Sequence, residues 1–384
     1  MSIYSRIFSL VLSLTAVCGC ADKGPTSLMF ERQMIEIHPG ESQTIAPVFS
    51  PVGTSAGLKW YSDDSKVATV SQKGEISGVS IGQTRIHALA GDLNASVIVN
   101  VVQRASAGTE KAFQFRVMQF NILQSTSEAA GHEWATVRRQ PSVAMIKDKD
   151  PDIICLQEAR KTQCSNLAED LPAYGQVLHP KDNITSNGGQ RNAILYKKDK
   201  FEVVDWDKYW FSVDETSSGL RFCPEGVTNS TSQTTQKMTL WVRFREKETR
   251  KEFLVFTTHF FANVDVIDQR TKCVELSVRH VRQIPEGIPV LFCGDLNIDY
   301  TSADGRNLLK PMFEVMRSAA VSANTHDDPY TCTYNHWGTS TKVLDYIFYR
   351  DADALTYSVV NSKSYGTDYV SDHYPLISDI VVYK

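Results

Sequence analysis

Eight short strand-like runs punctuate the chain between residues 115 and 382: Phe115–Phe120, Ile153–Leu156, Asn192–Tyr196, Met238–Phe244, Phe253–Thr258, Val290–Cys293, Leu344–Tyr349 and Ile377–Val382. Several are apolar at successive positions, so neither face can meet water, and such a strand has to be covered on both sides. Helical periodicity over Thr136–Lys149 and Arg270–Gln283 supplies covers. The reading is an α/β domain built on a buried sheet.

The places where these runs stop carry the chemistry. The first ends in Asn121, the second in Gln157-Glu158, the fifth in His259 and the sixth in Gly294-Asp295-Leu296-Asn297. Asp345 interrupts an apolar strand, and Ser371-Asp372-His373-Tyr374-Pro375 precedes the last one. In open α/β sheets, sites form at strand ends. A hard divalent cation wants oxygen ligands, and Glu158, Asp372 and Asn121 offer them. A phosphorus centre under attack needs a base for water, charge on the non-bridging oxygens and help at the leaving oxygen; Asp295, Asn297, His373 and His259 are the right types. Asp345 is placed to fix the tautomer of His373. Any one of these residues alone reads as a turn or a cap; six such signatures in one domain read as a site.

The same motifs resemble those of the endonuclease/exonuclease/phosphatase superfamily, which includes deoxyribonuclease I, exonuclease III, bacterial sphingomyelinases and inositol-polyphosphate phosphatases. The resemblance runs through residues 111–384 in the family's order: Phe120-Asn121, Leu156-Gln157-Glu158, Thr258-His259-Phe260, Gly294–Asn297, Leu344-Asp345-Tyr346-Ile347 and Ser371–Pro375. It implies a deoxyribonuclease I-like four-layer α/β sandwich, two mixed β-sheets face to face with helices outside. It further implies Glu158 as the principal ligand of Mg²⁺ or Mn²⁺, assisted by Asn121 and Asp372, with Asp295 and Asn297 orienting water and phosphate. Asp345 and His373 would form the acid–base pair and His259 would serve the leaving group. Two positions depart from the pattern: Leu123 stands where some nucleases carry another metal-binding Asp, and Phe260 replaces the usual Leu. The first departure tilts away from apurinic-site endonucleases.

From Leu28 to Val102 the chain gives short β-rich runs with turn signals at Pro39-Gly40, Asp63-Asp64, Lys73-Gly74 and Ala90-Gly91, which indicate an all-β sandwich. Val67–Val70 and Glu75–Val79 flank one turn as a hairpin, and Trp60 is the large apolar residue of a small core. Lys59–Val70, Gly74–Val79 and Gly82–Ile86 resemble the group 2 bacterial Ig-like domains. That resemblance implies a spacer, or a module contacting cell-surface components.

Ile7–Val17 is almost wholly apolar and follows Arg6, but is shorter than the roughly 20 residues a spanning helix needs, so it reads as a secretory segment. Val17-Cys18-Gly19-Cys20 resembles a bacterial lipobox, implying cleavage before Cys20, acylation of that cysteine and a membrane tether. Ala21 resembles an outer-membrane sorting residue. The expected organisation is a signal peptide over 1–19, a tether over 20–27, an Ig-like domain over 28–102, a linker over 103–112 and the catalytic domain over 113–384.

Forty basic against 44 acidic residues leave a net charge of −4, so affinity for a phosphate polymer must come from a local patch or a metal. Outside the leader, Cys155, Cys164, Cys223, Cys273, Cys293 and Cys332 form no CxxC or Cys/His cluster, which excludes a structural zinc motif. The function expected is a lipid-anchored, Mg²⁺- or Mn²⁺-dependent phosphoesterase working outside the cytoplasm and cleaving a phosphodiester by in-line attack of water. Its substrate is a nucleic acid, a phospholipid headgroup or a small phosphate ester, with phosphomonoesterase activity the alternative. A non-catalytic surface adhesin on a dead scaffold is the contrasting class, and it fits less well because every motif position keeps a chemically competent side chain.

Overall fold

The computed structural model describes residues 24–30, 34–52, 54–101, 110–126, 128–181, 189–212, 215–216, 236–262 and 267–384. Cys18, Cys20, Cys223 and most of the expected linker lie outside them. In the N-terminal unit β1 (Met34–Ile37), β2 (Lys59–Ser62), β3 (Gly82–Ala90) and β4 (Leu93–Val101) form one sheet in the order β1-β4-β3-β2. Strict alternation along β3 turns Ile86 and Ala88 inward, onto a core that holds Trp60, Ile76 and Val99. The predicted hairpin forms between Ala68–Val70 and Glu75–Gly78. Gly74 is required at its turn, because its φ is +78° and a Cβ there would stand 2.8 Å from the Trp60 ring.

The larger unit runs β5 (Lys111–Asn121), α1 (Arg139–Lys149), β6 (Ile153–Ala159), α2 (Lys161–Asp170), β7 (Tyr174–Pro180), β8 (Arg191–Lys197), β9 (Phe201–Trp210), β10 (Met238–Glu246), β11 (Glu252–His259), α3 (Ile267–Gln283), β12 (Val290–Asp295), α4 (Ala303–Phe313), β13 (Asp345–Arg350), β14 (Asp353–Val359) and β15 (Leu376–Tyr383). One sheet has the order β7-β8-β6-β5-β15-β14, extended by Thr325–His326, and the other β9-β10-β11-β12-β13, extended by Arg317–Ser318. Within β5, Phe113, Phe115 and Val117 enter the core shared by the two sheets, while Met118 and Phe120 pack outward with Val143 and Ile146 of α1. On the far side, Phe256 and Phe292 meet Val274 of α3 and Leu309 of α4. Both faces of the central strands are therefore buried, and the four layers follow from the apolar runs. β5 opens at Lys111, two residues inside the expected linker.

Register concentrates the polar strand ends. β5 and β6 run parallel with Asn121 opposite Gln157, and β11 and β12 run parallel with His259 opposite Asp295. β13 is antiparallel to β12 and enters the sheet at the same edge, Asp345 opposite Asp295. Three motifs far apart in the chain are thereby neighbours across one sheet end.

Candidate active site

Asp295 is the centre of the cluster. Its Oδ2 accepts from Asn121 Nδ2 at 3.0 Å and lies 3.5 Å from His259 Nε2 and 3.7 Å from His373 Nε2. Its Oδ1 accepts from the Asn297 backbone N–H at 2.9 Å. His373 Nδ1 and Asp345 Oδ2 are 2.8 Å apart, both residues being buried. Thr333 Oγ1 accepts the backbone N–H groups of Leu344 and Asp345, at 2.9 and 3.0 Å, which anchors the start of β13. Ser371 Oγ donates to the Asn121 carbonyl at 2.7 Å and so stitches the last motif to the first.

Glu158 adopts φ +63°, and Leu123 (+53°) and Asn297 (+51°) share the left-handed region. For non-glycine residues each costs about 1 kcal/mol or more, a strain retained where surrounding packing dictates the side-chain direction. Glu158 Oε2 accepts from Gln190 Nε2 at 3.2 Å, and Oε1 is 3.5 Å from Asn121 Nδ2. The Asn297 side chain donates to the Phe260 carbonyl at 3.1 Å.

A cleft of about 940 Å³ opens over these groups, lined by Glu158, His259, Asp295, Asn297, Asp372 and His373 among others. Six of the eight predicted site residues thus face one cavity. Asn121 and Asp345 are buried and reach it through their bonds to Asp295 and His373.

Electrostatics match this crowding. Burial pushes the Asp295 carboxyl above its ordinary range, with the Asp345 carboxylate adding to the rise and His373 opposing it. Burial and then the Glu158 charge raise Asp372. Burial pulls the His373 imidazole down, but Asp345 and Asp295 outweigh it and hold the group up at about 10. Burial and the neighbouring Lys181 and Lys237 drive His259 well below its usual value. Asp295, Asp345 and His373 bring ligand atoms within 4.8 Å of one another, but His373 Nδ1 is committed to Asp345. Glu158, Asp372 and the Asn121 amide oxygen form the oxygen-rich alternative suited to a hard cation. Asn121 Oδ1 already accepts from the Leu123 N–H at 3.1 Å, which leaves one lone pair for such an ion.

Several contributors are not visible in the motifs. Lys181 and Lys237 are nearly inaccessible, and Lys181 Nζ lies 2.7 Å from His259 Nδ1. They stand directly after β7 and directly before β10, so a lysine abutting a strand end was the available signal. Gln119 Nε2 is 3.4 Å from Asp345 Oδ1, and Gln157 Nε2 donates to Thr257 Oγ1 at 2.8 Å. Tyr209, Trp210, Phe211, Phe260 and Phe261 are core residues and do not form an aromatic rim to the cleft. Trp206 is exposed on β9, and Trp337 stacks on His132 with ring centroids 3.6 Å apart. Among the described residues, no helix is long and apolar enough to cross a membrane.

Comparison with known proteins bears on both units. The profile of the endonuclease/exonuclease/phosphatase family matches residues 118–373, and that of the bacterial Ig-like domain (group 2) matches 35–101. Nocturnin of Drosophila melanogaster is 23% identical over 333 residues; the match spans 73% of this chain and 49% of nocturnin, about half the length of that relative. A solved endonuclease/exonuclease/phosphatase structure from Bacteroides vulgatus superposes with a TM-score of 0.60 at 22% identity, covering 70% of this chain and 98% of the other. A mannosyl-6-phosphatase from Bacteroides thetaiotaomicron gives 0.58 at 22% identity, with 70% and 99% covered. At those identities the likeness concerns the fold, which is the four-layer arrangement described above.

Proposed function

The chain belongs to the endonuclease/exonuclease/phosphatase family, and from that premise we propose that it is a Mg²⁺- or Mn²⁺-dependent phosphoesterase that cleaves a phosphodiester by in-line attack of water. The observation that carries this reading is the convergence of Glu158, Asp295, Asp372, His259 and His373 on one cleft from the ends of both sheets. Burial, with a neighbouring carboxylate adding to it, raises both Asp372 and Asp295, and a bound cation would favour their charged forms. Glu158, Asp372 and Asn121 would hold that ion, whose chemistry is to neutralise charge on the non-bridging phosphate oxygens.

The side chains have separable tasks. Asp295 is positioned by Asn121 and by the Asn297 N–H to accept a proton from water. The Asp345 carboxylate fixes the orientation of His373 and stabilises its charged form, which then faces the phosphate through Nε2. Lys181 donating to Nδ1 of His259 leaves the ring proton on Nε2, so a neutral His259 presents an N–H toward Asp295 and the cleft.

A second reading, hydrolysis of a phosphomonoester, is favoured by Lys181 and Lys237, two buried lysines near His259 whose charged forms a dianionic terminal phosphate would stabilise. The likeness to a mannosyl-6-phosphatase agrees with it. Location outside the cytoplasm, with the chain anchored through an acylated Cys20, is supported by the lipobox resemblance of Val17–Cys20; Cys20→Ser should move the protein from the membrane to the soluble fraction.

The test is plasmid nicking by residues 21–384 with Mg²⁺ or Mn²⁺, beside release of nitrophenol from mono- and bis-(p-nitrophenyl) phosphate. Chelator and Asp295→Ala serve as paired controls. Turnover lost in both controls supports the reading; turnover that survives both rejects it, and preference for the monoester selects the second.

A further inference from the structure

The Ig-like resemblance implies a spacer or an adhesive module, and neither role requires the domain to touch the catalytic cleft. The contacts say otherwise. Glu36 on β1 receives Arg317 Nε at 3.1 Å and Nη2 at 2.7 Å, while Nη1 of the same guanidinium bonds Asp353 at 2.9 Å and its plane lies over the Tyr349 ring. The Glu36 and Arg317 side chains are only 13% and 16% exposed. An ion pair with so little access to water is seldom a large net source of stability; its geometric demand fixes one orientation of the partners.

Beside it, Met34 packs into the core beneath α4. Its Sδ is 3.5 Å from Tyr300 Oη, and Gln83 Nε2 of β3 stands 3.4 Å from the same hydroxyl. Tyr300 lies five residues beyond Asp295. Its N–H donates to the Val343 carbonyl at 3.0 Å, its carbonyl accepts from Arg306 at 2.9 Å, and its ring meets the edge of Tyr346, the neighbour of Asp345. The hydroxyl of Tyr346 in turn bonds the carbonyls of Ile298 and Val343.

The start of α4 continues the pattern. Ser302, Asp304, Gly305 and Leu308 line the catalytic cleft. Arg306 and Lys310, one and two turns on, line a separate groove of about 280 Å³ against Gln83 and Arg85 of the Ig-like domain, and Asn307 borders both.

We propose that the Ig-like domain positions the catalytic strand end: by clamping Tyr300 and α4 it fixes residues 296–308, which carry Asn297 and form one wall of the cleft. Met34, Glu36 and Gln83 are positioning residues in this scheme. Its effect on turnover rests on the phosphoesterase reading, whereas its effect on order within 296–308 does not.

The experiment uses the full chain carrying Glu36→Lys, which sets a cation against Arg317, and Met34→Asp/Glu36→Lys, which also charges the half-buried Met34 position. Small-angle scattering reports separation of the domains, hydrogen exchange reports the amides of 296–308, and bis-(p-nitrophenyl) phosphate reports turnover with an ester too small to bridge to the Ig-like domain. Separation should speed exchange in 296–308 about tenfold and lower kcat by about 10- to 100-fold, with KM changed far less, as displaced catalytic geometry predicts. Glu36→Gln, which keeps an oxygen for Arg317, should match the wild type in both. Separated domains with unaltered exchange and kcat overturn the proposal, as do domains that stay together in both charged variants. If the wild type hydrolyses no ester, the phosphoesterase reading fails, and the exchange data alone decide the clamp.

Discussion

Arg138 offers the sharpest test of how the site is held together. Its side chain is fully buried, and it binds carbonyls from three separate segments: His132 at 2.6 Å, Ile122 at 2.7 Å, and Leu123 and Val370 at 3.3 Å each. It also pairs with Glu128, whose side chain is 13% exposed. Burial lowers its pKa and Glu128 raises it, as suits a desolvated guanidinium with one counter-ion. Ile122 and Leu123 follow Asn121, and Val370 precedes Ser371-Asp372-His373. Arg138→Met therefore leaves the Glu128 carboxylate with the Trp134 N–H but no counter-ion and strips a donor from several carbonyls, and breaking one side of a buried pair costs roughly 3–5 kcal/mol. With a urea dependence of about 3 kcal/mol per M, a loss of about 4 kcal/mol lowers the unfolding midpoint by about 1.3 M. Tryptophan fluorescence, with Trp134 adjacent at 5.7 Å, follows the transition. Arg138→Lys, limited to three donors, should lie between. Adding Glu128→Gln to Arg138→Met should recover part of the loss, because the stranded charge is removed. A midpoint unchanged in Arg138→Met, or no recovery in the double variant, refutes the reasoning.

Asp345→Asn should lower kcat by about 10²- to 10⁴-fold and alter its pH dependence, because His373 loses the carboxylate that orients it and favours its charged form; an unchanged profile removes the pairing from the mechanism. The folded value of His373, about 10, lies above the ordinary 6.5, so the pair stabilises fully below about pH 6.5 and fades as pH rises through 10; the stability difference should shrink in the same direction. Glu158→Ala should leave folding intact and weaken Mn²⁺ binding by at least about tenfold in calorimetry, a range set by loss of one ligand from a small oxygen site. Unchanged affinity excludes Glu158 as a ligand. Lys181→Met removes a buried amine that burial already pulls toward its neutral form, so stability should hold while monoester turnover falls at least about tenfold more than diester turnover. Equal losses on both esters refute selective recognition of the dianion.

The layers were legible because the central strands are apolar on both faces, a pattern that admits few other architectures. The peripheral strands were not. β7 is half-buried at every position because it closes a sheet edge, and β9 carries Glu202, Asp205, Asp207 and Lys208 for the same reason, so neither shows a period. α4 was masked by Pro311 within it and by Asp299–Ser302 before it, although Ser302 caps the helix through Gly305 N–H at 3.0 Å. Loss of the edge strand hid Lys181, which depends on β7 for its place. Arg138 was hidden differently: it reads as a surface position of a helix, and only the return of Ile122, Leu123 and Val370 around it makes it interior. The side chains proposed as catalytic sit at strand ends, where sequence and topology coincide. The groups that support them are recruited from distant segments.

The charge of the site follows from the same topology and has a consequence for binding. Glu158, Asp295, Asp299, Asp304 and Asp372 line the cleft against Arg270, Lys342 and His373, while burial pulls the nearby Lys181 and Lys237 toward their neutral forms. The chain as a whole carries −4, so no remote field compensates. A phosphate approaching this cleft without a cation meets net repulsion at close range in a poorly screened environment. A divalent ion would thus act on association as well as on chemistry. Isothermal titration of the catalytically impaired Asp345→Asn chain with a non-hydrolysable phosphorothioate should show binding with Mg²⁺ or Mn²⁺ and at least about tenfold weaker binding with chelator, since about 1.4 kcal/mol suffices for that factor. Equal affinity in both conditions would mean that Arg270, Lys342 and His373 outweigh the carboxylates, and the site would then recognise phosphate before it recruits metal.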